Sequence, residues 1–330
     1  MVLSSTVACG DEAAHVPSDK KITVYSGRSE ALVEPILDRF QQQTGIRIET
    51  RYSDTAQMAA QLLEERDRTR ADVFLSQDAG ALGAVAKQGL FAPLPADLLD
   101  KVPVTYRART GEWIGVTGRS RVLAYNVDQV SADQLPESVF ELTGPQWTGK
   151  VGIAPTNASF QAFVTALRIQ HGDAKAKQFL TDLKANGAQI RDNNVVTVAD
   201  VDAGKLAAGL VNHYYVFELA KERGTTPDML KARLHFFPDG DTGALVNVSG
   251  VGVLEAAISD PDVRTFLDFL LGTEAQTYFA QEIYEYPLIS GVPTASGLPA
   301  LADLKAPAID LNDLDTLAAS VQMIKDAGLA

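Results

Sequence analysis

The chain has 330 residues, 46% of them hydrophobic and 22% charged, with a formal net charge of -13 and a pI near 4.8. At roughly 100–200 residues per domain, this length accommodates two domains. The acidic balance argues against a nucleic-acid or anionic-membrane partner, since phosphates are met by an excess of Lys and Arg. No apolar run approaches the ~20 residues of a membrane-crossing helix, and the single cysteine, Cys9, excludes an intrachain disulfide or a CxxC motif.

In chain order, Leu3-Ser4-Ser5-Thr6-Val7-Ala8-Cys9-Gly10 comes first. It resembles the end of a bacterial lipoprotein signal, in which the cysteine is acylated and becomes the new N-terminus. Thr6 stands where such signals carry leucine, and neither a basic region nor a full apolar region precedes it, so a truncated start is expected. An incidental cysteine in a polar tail is the alternative. Residues 1–20 are read as signal remnant and tether.

From Lys21 the pattern alternates between strand and helix. Residues 21–25 (KITVY) form a β-rich run, and Leu32, Val33, Ile36, Leu37 and Phe40 then mark one helical face. Ser29 is the expected N-cap and Thr44-Gly45 the expected stop. Residues 46–52 alternate, 59–65 read as helix, and 71–76 (ADVFLS) read as a buried strand. This order predicts a parallel sheet covered by helices, because parallel strands need crossover connections. Ligands bind at the carboxyl ends of such strands, which nominates residues 26–29, 52–55 and 76–79.

A second α/β unit follows, with a strand at 151–153, a loop at 154–160, and helices at 161–170 and 174–186. Residues 206–212 lead through His213-Tyr214-Tyr215 into a helix at 216–223. Residues 243–253 are apolar and Gly-rich, as expected of a strand crossing between two lobes. Helices are expected at 263–271, 276–281 and 314–327. No GxSxG, HExxH, Walker A loop or GxGxxG is present, and the four histidines show no i,i+4 pair. An enzyme is therefore not expected. Gly250-Val251-Gly252 reads as packing, and the sequons at Asn157 and Asn247 read as chance.

Asn212-His213-Tyr214-Tyr215 is the constellation with chemistry. Two successive tyrosines on a strand point to opposite faces, whereas at a strand-to-helix turn they converge. Phenolate is a hard oxygen donor suited to a highly charged cation, and a bound cation favours the ionised form of a group that otherwise titrates near pH ~10. Taken alone, a Tyr-Tyr pair is more often an aromatic contact that packs a core.

From Lys21 onward the chain resembles the bacterial ferric-ion-binding proteins of ABC importers. The resemblance rests on Ile22-Thr23-Val24-Tyr25-Ser26-Gly27, Thr44-Gly45-Ile46, Ala71-Asp72-Val73-Phe74, Gly118-Arg119-Ser120-Arg121-Val122 and Trp147-Thr148-Gly149-Lys150. Ala154-Pro155-Thr156-Asn157, the Tyr214-Tyr215 element, Gly243-Ala244-Leu245-Val246 and Glu285-Tyr286-Pro287-Leu288 continue it in order.

The resemblance implies a periplasmic-binding-protein type II α/β fold, two Rossmann-like lobes joined by hinge strands. Residues 21–118 plus 246–294 would form lobe 1, and 119–245 plus 295–330 lobe 2. It implies Fe(III) as cargo with Tyr214 and Tyr215 as ligands, an extracytoplasmic location, and delivery by a monomer to an ABC permease and its ATPase.

The chain departs from the family where Ser29 replaces a histidine, Gln77 replaces a glutamate with Asp78 beside it, and Phe160 replaces a further tyrosine. Tyr52 is nominated as a third phenolate, the alternative being an ordinary strand-end aromatic. Because two or three phenolates leave an octahedral shell incomplete, carbonate or a similar anion is expected. Its candidate partners are Arg28, Arg119, Asn157, Ser159, Asn194 and Asn212, with Arg121 read as structural. The competing readings are an oxyanion or phosphonate receptor on the same fold and, from another class, a transferase.

Overall fold

The chain is described by a computed structural model covering residues 18–330, so Cys9 and most of the expected tether lie outside the described residues. Strand β1 (Lys21–Ser26) is followed by α1 (Glu30–Thr44), β2 (Arg47–Tyr52), α2 (Thr55–Glu65), β3 (Val73–Ser76), α3 (Ala79–Ala86) and α4 (Ala96–Leu99). β1 pairs in parallel with both β2 and β3, as the alternation predicts. Helix α1 buries Val33, Ile36, Leu37 and Phe40, an i, i+3, i+4, i+7 stripe. It ends at Gly45, whose φ of 69° a residue without Cβ adopts freely. Ser29 occupies the N-cap but is exposed and makes no capping bond through its side chain, contrary to expectation.

The chain continues with β4 (Trp113–Asn126), β5 (Val151–Ile153), α5 (Ala158–His171), α6 (Asp173–Ala185), β6 (Gln189–Ile190), α7 (Asn194–Asp202), β7 (Ala208–Asn212) and α8 (Tyr214–Glu222). Then come β8 (Ala232–His235), β9 (Val246–Val253), α9 (Pro261–Leu270), α10 (Thr273–Glu282), β10 (Tyr286–Pro287) and α11 (Leu317–Asp326). The strand order is β2-β1-β3-β9-β4-β7-β5-β6, with β8 and β10 also on β4.

Strand β4 joins the lobes. Its first part, to Ser120, pairs antiparallel with β9, and from Arg121 it pairs with β7. Beyond the crossing its side chains alternate between two cores, as a period of 2 dictates. Val122 and Ala124 join Val198, Val211 and Leu219, whereas Leu123 faces Val151, Phe163 and Leu210. The apolar 243–253 segment is not one strand throughout, because residues 242–244 form a 3-10 turn and β9 starts only at Val246. In β9 a Cβ on Gly252 would lie 2.5 Å from the Phe91 ring, so this glycine serves close packing. The 295–330 segment, expected wholly in lobe 2, divides: Leu311 and Leu314 enter the first lobe's core, Ile324 and Leu329 the second's.

Candidate functional site

The site is built where β7 ends. All five residues of β7 are buried, and the chain turns straight from Asn212 through His213 into α8. Tyr214 and Tyr215 are thus the first two residues of a helix. Their ring centroids lie 4.3 Å apart at 36°, so the phenols converge as a strand-to-helix turn allows. Tyr214 is 1% exposed. Burial pushes the Tyr214 phenol well above its ordinary range, with the neighbouring Tyr215 adding to the rise. Burial also raises Tyr215, more than the adjacent Tyr214 and Asn194 lower it, and Arg119 opposes the shift at both. Without a cation both phenols are protonated at neutral pH. The helix N-terminus favours their anionic forms once a cation has displaced the protons.

His213 is a brace. Its Nδ1 accepts from the Ser120 N–H at 3.2 Å and its Nε2 donates to the Tyr284 carbonyl at 2.7 Å. Burial lowers its pKa to about 4, which keeps it neutral and ties β4 to the 284–286 segment. That segment also stacks the Tyr284 ring on Phe217 of α8 at 5.0 Å.

Three guanidinium groups are buried around the pair: Arg28, Arg119 and Arg121. Arg28, from the loop after β1, donates through Nη1 to Glu285 Oε2 at 2.9 Å. The same oxygen accepts from Thr117 Oγ1 at 2.5 Å. Burial alone would raise Glu285, but Arg28 and Arg119 bring it below the usual carboxylate range. Arg28 therefore has a protein counter-charge, although its Nη2 has no partner among the described residues.

Arg121 was read as structural and does make structural bonds, donating to Ser159 Oγ at 3.0 Å and the Leu210 carbonyl at 2.8 Å. It also faces both tyrosines, and burial lowers its pKa to about 9. Arg119 is the freest of the three, with Nε and Nη1 buried and unpartnered among the described residues.

The other nominated residues divide. Asn157 Oδ1 is occupied as the cap of α5, accepting from the Ser159 N–H at 3.0 Å and its hydroxyl at 2.7 Å. Asn194 donates to Ser159 Oγ at 3.2 Å and keeps Oδ1 unpartnered beside Tyr215. Asn212 is buried at the end of β7, in register with Arg121. Asp78 caps α3, accepting from the Ala81 N–H at 3.0 Å, and burial raises its pKa against the pull of that N–H and Arg119.

Gln77 is half-buried beside Asp78, its backbone N–H on Thr55 Oγ1 at 3.3 Å. Tyr52 is not brought to the pair: its hydroxyl donates to Glu34 of α1, and burial raises its pKa ahead of that bond. Ser29 is exposed, and Phe160, where the resemblance has a further tyrosine, is core.

Sequence reasoning passed over Glu285 and Glu218. Glu285 lay inside a recognised element, but its charge had no visible partner 257 residues away. Glu218, four residues after Tyr214 and hence on the same helical face, was legible. A hollow of about 570 Å³ lined by Val216, Phe217, Arg233 and Phe236 lies on the other side of α8 and holds neither tyrosine.

With this geometry in place, the family model for bacterial extracellular solute-binding proteins matches residues 69–316. This chain belongs to that family. A relative from Serratia marcescens, named Fe(3+)-binding periplasmic protein, is 33% identical to this solute-binding protein over 99% of its chain and 95% of the relative. Iron-bound HitA from Pseudomonas aeruginosa superposes with a TM-score of 0.86 at 34% identity, covering 94% of this chain and 100% of HitA. A Trichodesmium protein in complex with iron and citrate has a TM-score of 0.80 at 27% identity, covering 94% and 100%. The matched structures share the type II two-lobed architecture seen here, and the named relatives are binding proteins. Among the described residues of this solute-binding protein, no helix is long and apolar enough to cross a membrane.

Proposed function

We propose that this chain captures ferric ion outside the cytoplasm, with the phenolates of Tyr214 and Tyr215 as ligands, and delivers it as a monomer to an ABC permease and its ATPase. The observation that carries this reading is the converging pair of phenols, Tyr214 buried and Tyr215 half-buried, 4.3 Å apart between ring centroids. Acylation of Cys9 would hold the protein at the cell surface. The names of the Serratia and Pseudomonas relatives point to the same cargo.

An external anion completes the shell in this reading. The buried guanidinium groups of Arg28, Arg119 and Arg121 face the buried Asp78 and Glu285 and the half-buried Glu218, whose pKa burial lifts to about 7. A trivalent ion held by two phenolates then leaves at least one positive charge in a poorly solvated cleft, where an unpaired charge is costly. A monoanion such as bicarbonate cancels it. Among the described residues Arg119 keeps two unpartnered buried donors, Nε and Nη1, on different edges of its guanidinium, and Arg28 Nη2 and Arg121 Nε are also unpartnered, so an oxyanion has charged donors to meet. The iron-and-citrate complex of the Trichodesmium neighbour supports an anion in this role.

Metal analysis and visible spectroscopy test the proposal. Purified protein given ferric nitrilotriacetate with bicarbonate should take up one ion per chain and develop a phenolate-to-iron absorption band. Tyr214→Phe or Tyr215→Phe should weaken or abolish that band. A protein that stays colourless and takes up no iron would sink the ferric reading. The unpartnered donors of Arg119 favour one rival, an oxyanion receptor on the same fold. Calorimetry with phosphate and phosphonates in iron-free buffer decides that case.

A further inference from the structure

The face of α8 that carries the two tyrosines carries a further carboxyl side chain, that of Glu218. At about 100° per residue, Tyr215 lies about 100° round the helix from Tyr214 and Glu218 about 40°, so Glu218 projects from between them. Helical side chains lean toward the N-terminus, which brings the Glu218 carboxylate back over the turn holding both phenols. Its carboxyl group lies within electrostatic reach of both phenols and of Arg28 of the opposite lobe.

Oε1 of Glu218 is buried without a hydrogen-bond partner among the described residues. Leaving a carboxylate oxygen in that state costs free energy. Its basic neighbours do not relieve it, since Arg28 is held by Glu285 at 2.9 Å and Lys221 by Glu282 at 2.9 Å.

We propose that Glu218 is a third anionic ligand to the cargo ion, completing on one helix the set that Tyr214 and Tyr215 begin. The proposal rests on the ferric reading above. A carboxylate is a hard oxygen donor matched to a trivalent cation. Two phenolates and one carboxylate balance its charge, leaving the surplus positive charge on the guanidinium side, where the anion belongs. With all three ligands on α8, the second lobe takes the ion before the first closes over it. This accounts for a first lobe in which Ser29 is exposed, Tyr52 is turned to Glu34 and Asp78 is spent on capping α3.

The test is Glu218→Gln in the full chain, loaded from ferric nitrilotriacetate with bicarbonate and followed by visible absorbance and citrate competition. An ion that loses an anionic donor is a stronger electron acceptor, so the charge-transfer maximum should move to longer wavelength. Affinity should fall at least about tenfold. A maximum at the wild-type position overturns the proposal even if affinity falls, because affinity loss alone describes a latch to Arg28. A wild-type protein with no band fails the ferric reading itself, a separate result. If the Gln variant does not fold, Glu218→Asp takes its place: the carboxylate is withdrawn by one methylene, and an unmoved band again overturns the assignment.

Discussion

Replacing Tyr214 by phenylalanine removes one oxygen and leaves the ring. The ring is 1% exposed and lies 4.3 Å from that of Tyr215 and 5.7 Å from that of His213, contacts that phenylalanine reproduces. The hydrogen-bonding neighbour of the Tyr214 hydroxyl is the Tyr215 phenol, which stays in place in the variant, and burial already disfavours the charged form of Tyr214. The ion-free variant should therefore unfold within about 1 kcal/mol of wild type.

Iron binding should respond differently, because one anionic partner of a buried cation is gone. Breaking a buried charge pair costs about 3–5 kcal/mol, which is about two to four orders of magnitude in Kd. Citrate competition measures the affinity, and thermal unfolding of the ion-free protein measures the stability. Wild-type affinity in Tyr214→Phe would refute the ligand role. A large loss of ion-free stability with unchanged affinity would show instead that the hydroxyl serves the core.

Three further outcomes follow from the same geometry. Both phenols are raised in the ion-free state and burial lifts Glu218 to about 7, so loading must displace about two protons at neutral pH and about three in acid, and the apparent binding constant should rise by about two to three log units per pH unit; stopped-flow with a pH indicator reads the release. His213 is depressed to about 4 from an ordinary 6.5, so the unfolded state binds its proton first. Its contribution is full above about pH 6.5 and lost as pH falls toward 4, about 3 kcal/mol in all, and urea titrations of His213→Asn should show a flatter acid limb. Gly252→Ala places a methyl against Phe91 and should destabilise the ion-free fold by about 1–3 kcal/mol, with the absorption band unmoved.

The βαβ order of the first lobe was legible because β1, β3 and α1 each bury a regular stripe. The 14-residue strand β4 was not legible as a strand. Thr117, Arg119, Ser120 and Arg121 interrupt its apolar pattern, because there the strand is buried by the site and by the other lobe, not by an ordinary core. Tyr52 misled for a related reason. A strand-end tyrosine is a ligand only if its hydroxyl turns into the cleft, and the partner that turns it away, Glu34, stands on the neighbouring helix α1.

By itself the sequence determined the elements with a regular apolar period, such as β1, α1, β3 and α5, that the chain carries no hydrolytic motif, and that the paired tyrosines stand at a strand-to-helix turn. These are local matters of period, capping and turn chemistry. Only the tertiary structure decided which charges meet. Arg28 finds Glu285 across 257 residues, and among the described residues Arg119 is left with free donors and Glu218 Oε1 is buried without one. Such pairings depend on burial and on the closure of two lobes, and the free energy of a charge is set by the groups that replace its water. No window of sequence contains those groups.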